Sequence, residues 1–147
     1  MLIPLAIVLA QACYLESDYR VDECAAIAHV LVRRAHGGDV AKMAHAYSLD
    51  KHTPRARRAR HLPRGLPARE LPRWLELVAT AQGVLDGTVA NPCPRAMHWG
   101  SRTLPTDVAR AERALGQGRW RVVRCTRGMA NAFYALTSKR VLRRRGP

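Results

Sequence analysis

An α+β fold in which helices predominate is predicted by three features of this sequence. Apolar residues recur at helical spacing through the first two thirds of the chain. A β-rich run, Trp120 to Cys125, and an alternating run, Met129 to Leu136, follow each other closely enough to be strand partners. The 147 residues suffice for one core and are too few for two ordinary domains, so a single domain over 1–147 is expected, with a basic loop at 51–73 and a basic tail at 139–147.

The elements follow in order. Residues 2–16 form one apolar segment with Pro4 in its first turn, and Ala10-Gln-Ala12 within it imitates a signal-peptidase site. No Lys or Arg precedes the segment, and a signal needs a positive start, so a buried first helix is expected. After Ser17-Asp18-Tyr19-Arg20, Asp22 is the expected cap of a second helix. Ala26, Ile27, Val30 and Leu31 recur along it, and Gly37-Gly38 stops it. Asp39 caps a short helix that ends near Ser48.

Residues 51–73 hold Lys51, Arg55, Arg57, Arg58, Arg60, Arg64, Arg69 and Arg73 against one acid, Glu70, among four prolines, and read as a loop. Pro72 opens a helix with a broad stripe of Trp74, Leu75, Leu77, Val78, Ala81, Val84 and Leu85, ending at Gly87. Thr88 to Leu104 reads as irregular, and Thr106-Asp107 caps a short helix to Leu115. The strand pair and the tail Lys139 to Arg145 complete the chain.

Composition limits the function classes. With 25 Lys+Arg against 11 Asp+Glu, the formal charge is +14, a field that gathers polyanions: nucleic acid, acidic lipid or envelope polymer. The 48% hydrophobic content excludes wholesale disorder, and no run approaches the roughly 20 apolar residues of a spanning helix, which excludes an integral membrane protein. The four cysteines contain no C-x-x-C and no nearby histidine at zinc spacing, so no metal and no cofactor are expected. Cys13 and Cys24 sit in Ala-rich apolar stretches and are expected as buried thiols. Cys93–Cys125 is the one pairing to test. His29 and His36, like His45 and His52, have Arg-rich flanks and read as packed or solvated.

Among the carboxylates, Glu16 is the candidate for chemistry. It ends an apolar helix beside Tyr14 and Leu15, and partial burial suits a carboxyl that donates a proton to a departing glycosidic oxygen. Neither Asp18 nor Glu23 has a spacing that makes it a partner. One glutamate suffices if it protonates the leaving oxygen and then helps a hydroxyl of the substrate itself attack the anomeric carbon.

Leu9-Ala-Gln-Ala-Cys-Tyr-Leu-Glu16-Ser followed by Cys24-Ala-Ala-Ile-Ala-His-Val-Leu-Val-Arg-Arg34 resembles the first two helices of the SleB-type cell wall hydrolases. Asn91-Pro-Cys-Pro-Arg-Ala-Met-His98-Trp99 resembles that family's Asp-Pro-Thr-Gly-Gly-Ala stretch. Gly128-Met-Ala-Asn131-Ala-Phe133-Tyr134 resembles its closing Gly-x-His-x-Phe-Tyr. The chain departs from the pattern at Ser17 to Arg20, at Arg33 in place of Asn, and at Pro94-Arg95 in place of Gly-Gly.

The resemblance implies a lysozyme-like helical domain with a small β element flanking a glycan cleft. It implies a peptidoglycan-cleaving glycosidase, a muramidase or lytic transglycosylase, acting on the MurNAc–GlcNAc bond. Glu16 would be the catalytic acid, and Tyr14, His98, Trp99, Asn131, Phe133 and Tyr134 would line the substrate groove. Arg55, Arg57, Arg58 and Arg60 would hold a monomer on anionic envelope polymers and glycan strands at the bacterial wall. With no convincing leader, a phage lysis or virion enzyme, released through a holin or carried on a particle, fits the sequence. The alternative is a small basic nucleic-acid-binding protein, against which stands the lack of an aromatic platform or a known motif in 51–73. The tail is too short for a stable membrane-active helix.

Overall fold

Apolar residues on every side of Leu5–Ser17 make α1 a helix that must be enclosed by others. In the computed structural model, which describes residues 3–101, 120–123, 125, 129 and 131–136, Val8, Leu9, Ala10, Ala12 and Cys13 of α1 are all buried. Pro4 stands at its N-cap. The fold is α+β and predominantly α, with five α-helices and a three-stranded sheet among the described residues. The chain divides into two units, Met1–Pro92 and Cys93–Pro147.

In the first unit α1 packs against α2 (Val21–Ala35) and α5 (Leu71–Asp86), which also pack on each other. Small residues make the close approach possible: Ala10 and Ala12 on α1 and Ala25, Ala26 and Ala28 on α2 are buried. There Cys13 and Cys24 are joined as a disulfide with Cα atoms 4.9 Å apart, inside the usual range. This corrects the expectation of buried free thiols. Helix packing that brings two Cα atoms so near is a long-range event that neither flank announces.

Several boundaries differ from those expected, each for a local reason. Arg20, not Asp22, is the N-cap of α2, and Asp22 lies in the first turn, accepting from the Glu23 N–H. His36 already takes the left-handed conformation (φ 48°) that ends α2, one residue before Gly37. Asp39 does cap α3 (Val40–Ala44), accepting from Lys42 N at 3.0 Å. The chain then continues as a π-helical turn, His45–Leu49, closed by Asp50 N–H on His45 O.

The segment 51–73 is not wholly a loop. Thr53 accepts from Ala56 N at 3.1 Å and Pro54 occupies the first turn of α4 (Pro54–Ala59), whose Ala56 and Ala59 are buried. A short 3₁₀ turn, Ala68–Glu70, leads into α5. Gln11, buried in α1, donates to Leu62 O (2.9 Å) and Arg60 O (3.2 Å) and so ties this segment to the core. On α5 the buried stripe is narrower than expected. Trp74, Leu77, Ala81 and Val84 are inside, while Leu75 is 56% exposed. Gly83 is required where it stands, since a Cβ there would lie 2.4 Å from Val89 Cγ2.

In the second unit β2 (Trp120–Val123) and β3 (Asn131–Leu136) pair antiparallel as expected. A further strand inside the supposedly irregular stretch, β1 (His98–Ser101), pairs with the other edge of β3, giving the order β1-β3-β2. Cys93 and Cys125 form the second disulfide, Cα atoms 5.0 Å apart. The expected helix at 106–115 and the tail at 139–145 lie outside the described residues.

Candidate active site

Glu16 sits in the last turn of α1 with its side chain 12% exposed. Its Oε1 accepts a hydrogen bond of 2.7 Å from the Ser48 hydroxyl and one of 2.8 Å from the Lys51 ammonium. Ser48 is fully buried and is delivered by the π-helical turn, a local widening frequently found at functional sites. Lys51 lies just beyond that turn, and its side chain is half exposed. Arg60 donates to Leu49 O and to Lys51 O on either side of Asp50, bracing the backbone that carries Lys51. The result is one carboxylate held by a buried hydroxyl and a half-exposed cation.

Arg55 closes the end of α1. Its guanidinium donates to Leu15 O (3.2 Å) in the last turn and to Tyr14 O (3.0 Å), which also accepts the Asp18 N–H, and it pairs with Asp18. It also lies 5.2 Å from the centre of the Tyr14 ring. Arg55 and Arg60 are thus committed to the backbone, which is a role different from the surface-binding one expected of them. Arg57 and Arg58 are exposed on α4.

Tyr14 precedes Glu16 by two positions and leaves the helix on roughly the opposite side. There it lines a cavity of about 410 Å³ with Asp18, Tyr19, Arg20, Glu70 and Arg73. The rings of Tyr14 and Tyr19 are 5.3 Å apart, and Arg73 stands 4.6 Å over Tyr19. Asp18 holds φ 56°, a value costly for a residue with a Cβ. Burial first, and then the Glu70 carboxylate beside it, hold the Tyr19 phenol above its usual range. Among the described residues its buried oxygen nevertheless makes no hydrogen bond of ordinary geometry. Arg20 pairs at 3.5 Å with Glu23, which is fully buried. Glu16 is not among the residues lining this cavity.

The remaining expected site residues belong to the second unit. His98 is opposite Tyr134, Trp99 opposite Phe133, and Ser101 opposite Asn131. Opposed residues share a face and successive residues alternate, so His98 and Tyr134 lie on one face and Trp99, Phe133 and Asn131 on the other. Trp99, Asn131, Phe133 and Tyr134 are buried. One sheet face therefore cannot present all five to one ligand.

Ser48, Lys51, Tyr19, Arg20, Glu70 and Arg73 have no counterpart in the sequence-based set of site residues. The only signal for any of them is the polar break after Glu16, which holds Tyr19 and Arg20. No protein-family model matches the chain, and neither a curated protein nor a solved structure matches it.

Proposed function

We propose that this chain is a peptidoglycan-cleaving enzyme of the lytic transglycosylase type, lysozyme-like in architecture, with Glu16 as general acid and base. The observation that carries the reading is the Glu16 carboxylate at the end of a buried helix, oriented by Ser48 and Lys51. A group that gives a proton and takes one back must be held near the reacting oxygens, and orientation supplied in advance is a large share of such catalysis.

In the first half of the reaction the Glu16 carboxyl gives its proton to the glycosidic oxygen as the C1–O bond of N-acetylmuramic acid breaks. In the second, the C6 hydroxyl oxygen bonds to C1 and its proton returns to Glu16, leaving a 1,6-anhydro end. The two donors on Oε1 suit the carboxylate that receives this second proton. Asp18 is paired with Arg55 and Glu23 with Arg20, so neither stands as an uncompensated second acid, which favours internal attack over a water activated by a partner carboxylate.

The disulfides Cys13–Cys24 and Cys93–Cys125 support action in an oxidising compartment such as the periplasm or the cell exterior. The exposed Arg57 and Arg58 support adhesion to anionic wall polymers, and they are also what favours the rival reading, nucleic-acid binding. The test is digestion of purified sacculi by wild type and Glu16→Gln. Release of muropeptides by the wild type alone supports the proposal. Nucleic-acid binding with no release by either form supports the rival.

A further inference from the structure

The cavity at the junction of α1 and α2 presents both signs of charge without neutralising them internally. Of its four charged lining residues, Asp18 is compensated by Arg55 and Arg20 by Glu23. Glu70 and Arg73 make no ion pair with each other or with any other described residue. Arg73 lies over the ring of Tyr19, and the Glu70 carboxylate acts on the Tyr19 phenol. A guanidinium and a carboxylate thus face one space of about 410 Å³, within the size class of small-ligand sites.

The chemistry of an occupant follows from these charges. A simple anion would meet Glu70 and Asp18, and a simple cation would meet Arg73 and Arg20. A neutral ligand would strip water from Glu70 and Arg73 and replace none of the lost interaction. A ligand with an ammonium and a carboxylate satisfies both, the carboxylate on the planar fork of Arg73 and the ammonium on Glu70.

We infer that this cavity binds a zwitterionic peptide, the stem carried by the glycan strand, an assignment of substrate class that rests on the proposed wall-cleaving activity. Tyr14 belongs to this site and Glu16 to the other side of the same helix end, so the stem would be read beside the cleavage point rather than in it.

The probe is the tripeptide L-Ala-γ-D-Glu-meso-diaminopimelate acetylated at its alanine nitrogen, which is an amide in the glycan-borne stem, titrated calorimetrically into the full chain. The expected result is measurable binding at millimolar concentration or below, weakened at least tenfold by Arg73→Gln and by Glu70→Gln. Arg73→Lys, which keeps the charge and loses the fork, should be intermediate. Probes acetylated also at the diaminopimelate amine, or amidated at the carboxylates, should bind at least tenfold more weakly. Absence of tripeptide binding, equal binding by the variants, or equal binding of the blocked peptides overturns the inference.

The binding measurement needs no turnover, so it stands apart from the activity. In parallel, glycan strands with and without stems are offered to the wild type. Equal cleavage of both counts against the stem site and leaves the activity standing. Cleavage of neither counts against the activity, and the titration still decides the site.

Discussion

The Ser48 hydroxyl donates a 2.7 Å hydrogen bond to Glu16 Oε1 across 32 residues of sequence. It couples a π-helical turn to the end of a buried helix. Ser48 is fully buried, so its hydroxyl has few other orientations, and the bond fixes the carboxylate more firmly than the half-exposed Lys51 can.

Ser48→Ala should therefore lower kcat on sacculi roughly tenfold while leaving most of the fold intact, since a hydrogen bond to a charged group contributes about 1.5–3 kcal/mol. Lys51→Met should lower kcat less than Ser48→Ala does, because its half-exposed ammonium holds the carboxylate less firmly. Turnover of both variants on sacculi checks this, and an unchanged kcat in Ser48→Ala removes Ser48 from the positioning of Glu16.

The four arginines of α4 and its end should separate into two pairs. Arg57→Gln with Arg58→Gln should leave the melting temperature unchanged and weaken adsorption to sacculi, most at low salt where screening is least. Arg55→Ala should instead lower the melting temperature, because the carbonyls of Leu15 and Tyr14 lose the guanidinium and Asp18 loses its ion-pair partner. Pelleting assays at two salt concentrations and thermal melts distinguish them.

The Cys13–Cys24 bridge joins residues 11 apart in sequence. Replacing both with Ala should cost about 2–4 kcal/mol of stability, read as a lower urea midpoint, and thiol titration of the unfolded, unreduced wild type should find none free. Free thiols in that titration would contradict the bridge.

Tyr19 predicts an alkaline effect. Its phenol is raised above the usual 10.0 by burial and by Glu70, so the native state holds the proton more tightly than the unfolded chain. Its contribution is fully present below pH 10 and falls as pH rises through the native value. Urea midpoints measured from pH 9 upward should fall more steeply for the wild type than for Tyr19→Phe. Parallel curves would remove Tyr19 as the source.

What could be read from the sequence follows the range of the interactions. Helices α1, α2 and α5 rest on apolar periodicity and on local signals such as Pro72 and Gly87, and those signals lie within a few residues of what they determine. Helix α4 was obscured because its arginines outnumber two small buried residues, Ala56 and Ala59, although Thr53 and Pro54 are a readable start signal. Strand β1 has four residues, too few to alternate recognisably, and it exists by pairing with β3. Glu16 was identifiable as a carboxylate at the end of an apolar helix. Ser48, Lys51, Glu70 and Arg73 were not, because each reaches its place through packing between segments distant in sequence. The five sheet residues among those expected to line a groove were grouped by motif order, which carries no information about which sheet face each occupies.

The central claim, that Glu16 moves the proton in glycan cleavage with internal attack, is tested most directly by mass spectrometry of soluble products from purified sacculi, with wild type and Glu16→Gln compared side by side. The account predicts 1,6-anhydromuramyl ends from the wild type and almost no product from the folded variant. Undiminished product from Glu16→Gln, or reducing muramic acid ends alone from the wild type, would contradict it.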